Sequence, residues 1–210
     1  MKSSSDNFRI DFTDVFNITV DEMIDKIMNM EGLPMREISK GILAKSSSVF
    51  DTSIFEWNGQ AAYGTGIYVF KKEDANGKSK PIYVGIAPNN FLDRFYGHMN
   101  TKYRQHWGWN AMLQCVASGI LQLPLTETRG QKNKLLSNPS LEQALDWMKD
   151  SKLVMIDFNP EDYSQMKLRY RFETIVTKGM KYIDDSWMKQ KMRNTYTDAI
   201  MMRKVSDLLS

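Results

Sequence analysis

The sequence predicts an α+β fold, and three observations carry that expectation. Two β-rich runs, Ile67 to Phe70 and Ile82 to Ile86, flank a charged segment that holds Asn76-Gly77, a dipeptide that favours the tight turn of an antiparallel hairpin. A third run, KLVMIDF at 152–158, reads as another strand. On either side lie stretches whose apolar residues recur at helical spacing and whose ends carry capping residues.

Taken in chain order, a polar lead of about 17 residues comes first. In ITVDEMIDKIMNMEG, Thr19 and Glu22 make a capping box, Ile18 and Met23 a hydrophobic staple, and Gly32 a stop, which predicts a helix over about 20–31. A second helix is read over about 35–44, with SSS at 46–48 as the loop that leaves it, so residues 1–60 are expected to form a helical N-terminal arm packed on the core. Residues 61–210 then form the main domain. Pro81 suits the start of the second strand, where a missing N–H donor costs little. After it, PNN at 88–90 breaks the strand, and Asn90 caps a helix that reaches about 96–100. One turn separates Arg94 from His98 on that helix, while Leu92 and Phe95 can face inward. Residues 99–150 read as an inserted, largely helical segment: an aromatic-rich stretch to Ile120, a basic turn at 128–134, then a helix over about 139–150 announced by Asn138-Pro139. Beyond the third strand, apolar residues at 168, 172, 175 and 176 define one helical face, and Glu173 lies beside that face rather than opposite it. Another helix is expected near the C-terminus.

Composition narrows the function classes. The 210 residues, 42% hydrophobic and 25% charged, suffice for one globular domain with an appended subdomain. A formal charge of +3 is compatible with a polyanionic partner without demanding one, because the field at a site follows local clustering. The lone cysteine, Cys115, excludes an internal disulfide framework and a multi-cysteine zinc cluster, so a reducing compartment is expected and Cys115 reads as a small core residue. No window approaches the roughly 18 apolar residues that a membrane span needs, and the N-terminus lacks the apolar run of a signal peptide. A soluble, cytoplasmic protein is the expectation. The 15 methionines read as adaptable packing material.

Five short motifs occur in a telling order: Gly66-Ile67-Tyr68 on the first strand, Tyr83-Val84-Gly85 on the second, Arg94 on the next helix, Glu173 on a later one and Asn194 beyond it. In that order they resemble the GIY-YIG endonuclease superfamily, over about residues 66–196. The resemblance implies a small three-stranded antiparallel sheet flanked by helices and a divalent-metal-dependent DNA endonuclease, similar in build to the compact restriction-type members, with a mobile-element or repair nuclease fitting too. By the same resemblance Glu173 anchors Mg2+ or Mn2+, Arg94 grips the scissile phosphate, Tyr68 acts on the attacking water as general base and Tyr83 positions it. Asn194 would be a structural or phosphate-side support, and His98 a partner of Tyr68 or the base itself. The residue types suit that chemistry. A hard cation with a single protein carboxylate takes its other ligands from water and phosphate, and a guanidinium offers a planar fork of donors to phosphate oxygens. A phenol with a pKa near 10 is a poor base at neutral pH unless neighbours favour its ionised form. The interval between Tyr68 and Tyr83 is longer than the family usually carries, as is that between Arg94 and Glu173.

Plainer readings stand beside these. Tyr68 and Tyr83 also suit strand positions as simple aromatics, and Glu173 can pair with Lys167, Arg169 or Arg171. Within the insertion, Lys102, Arg104, Arg129, Lys132 and Lys134 can contact phosphates while Trp107 and Trp109 stack on bases. Equally, the tryptophans can anchor the insertion's own core, with the charges as a solvated face. Besides a nuclease, the sequence admits a non-catalytic nucleic-acid or protein interaction module with the same core, or an unrelated α+β protein in which the motifs are accidental.

Overall fold

The alternating apolar pattern of three segments builds the centre of the structure. In the computed structural model, which describes residues 7–35, 65–87, 91, 94, 115–123, 125–127, 134–136, 138–158, 166–181 and 195–210, strand β3 (Thr65–Glu73) lies between β4 (Ser79–Ala87) and β7 (Lys152–Phe158). Both pairings are antiparallel: Tyr68 stands opposite Gly85 on one side and Met155 on the other. The hairpin between β3 and β4 closes through Asp74. Its backbone pairs with Lys78 and Gly77, its carboxylate accepts from the amides of Asn76 and Lys78, and Gly77 takes the left-handed φ of +73°. Pro81 falls inside β4 at a register shift opposite Phe70 and Lys71 rather than at the strand's first residue, which suits an edge strand whose ladder is already interrupted.

The sheet is larger than the three antiparallel strands read from the sequence. Short strands β1 (Arg9–Asp11) and β2 (Leu33–Pro34) both pair with the free edge of β7, β1 parallel and β2 antiparallel, giving a mixed, open five-stranded sheet. Within the stretch read as a polar lead, residues 9–11 are therefore a sheet edge. Apolar burial explains why: Phe8, Ile10, Phe12 and Val15 are all buried, and Phe12 stacks on Phe158 at 4.2 Å and meets Phe172 edge-on at 4.9 Å. Helix α1 (Thr13–Phe16) follows directly.

Helix α2 (Val20–Asn29) begins as its capping box dictates, with Thr19 Oγ1 accepting from the amide of Glu22 and Glu22 accepting from the amide of Thr19. It ends at Asn29, short of Gly32, whose φ of +82° turns the chain into β2. The carbonyls of its last turn are met by a lysine from the sheet. Lys71, only 3% exposed, donates through Nζ to the carbonyls of Ile27, Met28 and Met30.

Helix α4 (Met166–Gly179) packs beside α2 and over β3 and β4, placing Phe172, Ile175 and Val176 in one core with Met23, Ile27, Ile67, Val69, Val84, Ile86, Val154 and Ile156. Gly179 lets α2 close in, since a methyl group there would stand 3.0 Å from Val20. The expected C-terminal helix is two short ones, α5 (Asp198–Met201) and α6 (Val205–Leu209). They are divided where the chain pairs with the start of α2 through Val20 to Arg203 and Val205 to Ile18. Inside the inserted region lie a π-helical turn (Cys115–Ile120), a small hairpin of β5 (Leu125–Glu127) and β6 (Lys134–Leu136), and α3 (Asn138–Met148). The helix read over 35–44 and the loop at 46–48 lie outside the described residues, apart from Met35. Among the described residues no helix is long and apolar enough to cross a membrane.

Candidate active site

Strand alternation separates two faces. Ile67, Val69, Val84, Ile86, Val154 and Ile156 point into the core beneath α2 and α4, so Gly66, Tyr68, Phe70, Tyr83, Gly85, Met155 and Asp157 share the opposite face. Tyr68 and Tyr83 are diagonal neighbours there, their rings 6.1 Å apart and inclined by 29°. The two glycines make this arrangement possible. A methyl group at Gly85 would lie 2.9 Å from Cε2 of Tyr68 and nearer still to Cζ and the hydroxyl, so Gly85 is the floor on which the Tyr68 ring lies. At Gly66 a methyl group would meet the Ile156 backbone, its carbonyl carbon at 3.0 Å and the oxygen closer.

Tyr68 is fully buried, and its hydroxyl accepts a hydrogen bond from Nε of Arg94 at 3.2 Å. Arg94 is helical, as the sequence predicts for the segment after β4, and it is half-buried. Glu173, half-buried on α4, is near enough to raise the pKa of both Tyr68 and Arg94, and its backbone carbonyl accepts from Thr177 Oγ1 at 2.6 Å. Two phenols, one guanidinium and one carboxylate, from elements up to 105 positions apart in sequence by the numbering of Tyr68 and Glu173, thus act on one another. Arg171 donates to the carbonyl of Ser210, and Lys167 is exposed.

The electrostatics set the protonation states. Burial pushes the Tyr68 phenol well above its ordinary value, Tyr83 and Glu173 add to this, and the charge and hydrogen bond of Arg94 oppose it without prevailing. Tyr68 is therefore a neutral phenol at pH 7 in the free protein. For Arg94, burial pulls the pKa down, but Tyr68, Tyr83 and Glu173 more than offset it, so the guanidinium stays charged.

No cluster of three His, Cys, Asp or Glu suited to a metal ion occurs among the described residues. Among the described residues the donor set is the half-buried carboxylate of Glu173 beside the two tyrosines. That set fits a hard divalent cation which keeps most of its own waters.

His98 and Asn194 lie outside the described residues, as do Lys102, Arg104, Trp107, Trp109, Arg129 and Lys132. Lys134 opens β6, far along the chain from the tyrosine strands. Among the described residues three charged ones are buried: Lys71 and Asp157, which were not singled out from the sequence, and Arg169, named there as a possible partner of Glu173. Each had a signal. Lys71 continues the inward alternation of Ile67 and Val69, and Arg169 falls three positions before Phe172 on the apolar face of α4. Asp157 lies on the tyrosine face of β7, where one carboxylate oxygen pairs with Arg9 and the other meets no hydrogen-bond partner among the described residues. Comparison of the chain with protein-family models, with curated proteins and with solved structures finds no match.

Proposed function

We propose that the chain is a divalent-metal-dependent endonuclease of GIY-YIG type that hydrolyses phosphodiester bonds in DNA. The observation that carries this reading is the Arg94 to Tyr68 hydrogen bond within electrostatic reach of Glu173, an arrangement the five-motif resemblance expects and a chance occurrence of motifs does not. Each side chain has work suited to its state. Arg94, held charged, neutralises the non-bridging oxygens of the scissile phosphate as negative charge builds. Tyr83 and Tyr68 orient a water in line with the departing 3′ oxygen. Held as a phenol, Tyr68 can take the water's proton only once its own hydroxyl proton has passed to a partner base, the role open to His98, or His98 is itself the general base. The new P–O bond forms to the water oxygen, the P–O3′ bond breaks, and the products are a 5′-phosphate and a 3′-hydroxyl. Glu173 would hold Mg2+ or Mn2+, which when bound supplies charge neutralisation at the phosphate and the leaving oxygen.

The test is incubation of the purified protein with supercoiled plasmid and Mg2+ or Mn2+, beside Arg94→Ala. Nicked or linear DNA with the wild type alone supports the proposal. Intact plasmid under every condition, together with DNA binding unchanged by Glu173→Ala, would instead identify a non-catalytic binding module.

A further inference from the structure

The geometry points to Tyr170 as a stacking platform for an unpaired nucleobase next to the scissile phosphate, an inference that rests on the nuclease reading above. Tyr170 and Met202 are the exposed large hydrophobic side chains among the described residues, and Tyr170 is 48% exposed. It lies on α4 three positions before Glu173, so one helical turn separates the ring from the carboxylate, with Cβ atoms about 5–6 Å apart. A phosphate held at the Glu173 end would thus lie about one helical turn from the ring. Leu168, Phe172, Ile175 and Val176 supply the inward face of α4, and Tyr170 points away from it on the flank that Glu173 and Thr177 occupy. No hydrogen bond or ring contact holds the phenol among the described residues; only its backbone carbonyl is engaged, by Thr174 Oγ1 at 2.9 Å.

Charge decides the kind of partner. Lys167, exposed and a further turn towards the N-terminus of α4, extends the same flank, giving the order cation, ring, carboxylate. A polyanionic strand matches this order: a phosphate at the lysine, a base on the ring, and the scissile phosphate at the Arg94 and Glu173 end. Bases inside an intact duplex present no free face, so a ring here selects a strand that is single or locally unstacked at the cut.

The test is fluorescence anisotropy with a labelled single-stranded oligonucleotide in EDTA, where no cleavage occurs, for wild type, Tyr170→Ala, Tyr170→Phe, Lys167→Ala and the control Met202→Ala. Tyr170→Ala is expected to weaken binding about tenfold, with an unchanged salt slope, and Tyr170→Phe to restore it. Lys167→Ala is expected to reduce the slope of log K against log salt by about 1. A fully paired duplex should show little dependence on Tyr170. Equal affinities for wild type and Tyr170→Ala overturn the platform while leaving the nuclease reading intact. Failure of the wild type to bind any oligonucleotide overturns both.

Discussion

Gly85→Ala is the sharpest perturbation the structure offers, because one methyl group would be placed against the most constrained side chain of the site. The added carbon would stand 2.9 Å from Cε2 of Tyr68 and closer to Cζ and the hydroxyl, against a ring that is fully buried. Overpacking of this kind costs about 1–3 kcal/mol. Displacing the phenol from Arg94 also removes a hydrogen bond to a charged group, worth about 1.5–3 kcal/mol. A total near 3 kcal/mol is expected, which at roughly 2–4 °C per kcal/mol in a chain of this size is a fall of about 6–12 °C in Tm. Circular dichroism melts measure it, and a double-mutant cycle with Tyr68→Phe assigns it. Without the hydroxyl part of the clash disappears, so the two substitutions should couple by about 1 kcal/mol or more. Gly77→Ala is the reference: at φ +73° and with open space around it, it pays only the left-handed conformation, about 1–2 kcal/mol. Melts of Gly85→Ala within about 2 °C of wild type, or strict additivity with Tyr68→Phe, would refute the placement of the tyrosine over the glycine.

Three further outcomes are expected. Thr19→Ala removes the side-chain half of the α2 capping box and should lower stability by about 1 kcal/mol, read as a shift in denaturant midpoint at constant slope. Lys71, held at a pKa of about 8 by burial first and by Lys152 second, with Glu73 opposing, binds fewer protons folded than unfolded between pH 8 and its ordinary 10.5. Wild-type stability should therefore rise with pH relative to Lys71→Met across that window, by less than the ideal ~1.4 kcal/mol per pH unit because three carbonyls favour the ammonium; a flat or falling difference would contradict this. Asp157 is raised by burial, against Arg9, so wild-type stability should fall relative to Asp157→Asn as pH climbs from 3 to 6 in urea titrations.

Local signals in the sequence were read well, and long-range ones poorly. The third strand occupies the very residues 152–158 that its run of apolar and β-branched side chains suggests, and α2 starts at the residue its capping box demands. The hairpin formed because Asn76-Gly77 and Asp74 supply the turn without help from elsewhere. By contrast β1 is three residues long, too short for any period to show, and becomes a strand only by pairing with β7 more than 140 positions away. Lys71 reads as a solvated hairpin charge until α2 arrives to place its carbonyls over it. The site follows the same division. Tyr68, Tyr83 and Gly85 were legible as strand motifs, whereas the approach of Glu173 to Arg94 depends on how α4 crosses the sheet, which periodicity does not encode. Asp157 was missed because a buried carboxylate is a rare choice that only a specific tertiary partner, here Arg9, justifies.

Single-turnover cleavage of an end-labelled DNA by Glu173→Gln, measured beside the wild type at saturating Mg2+, tests the central claim most directly. The account predicts a loss of at least about 10²-fold in the cleavage step, with DNA affinity and melting temperature retained. A variant that cuts at the wild-type rate would show that this carboxylate takes no part in the chemistry.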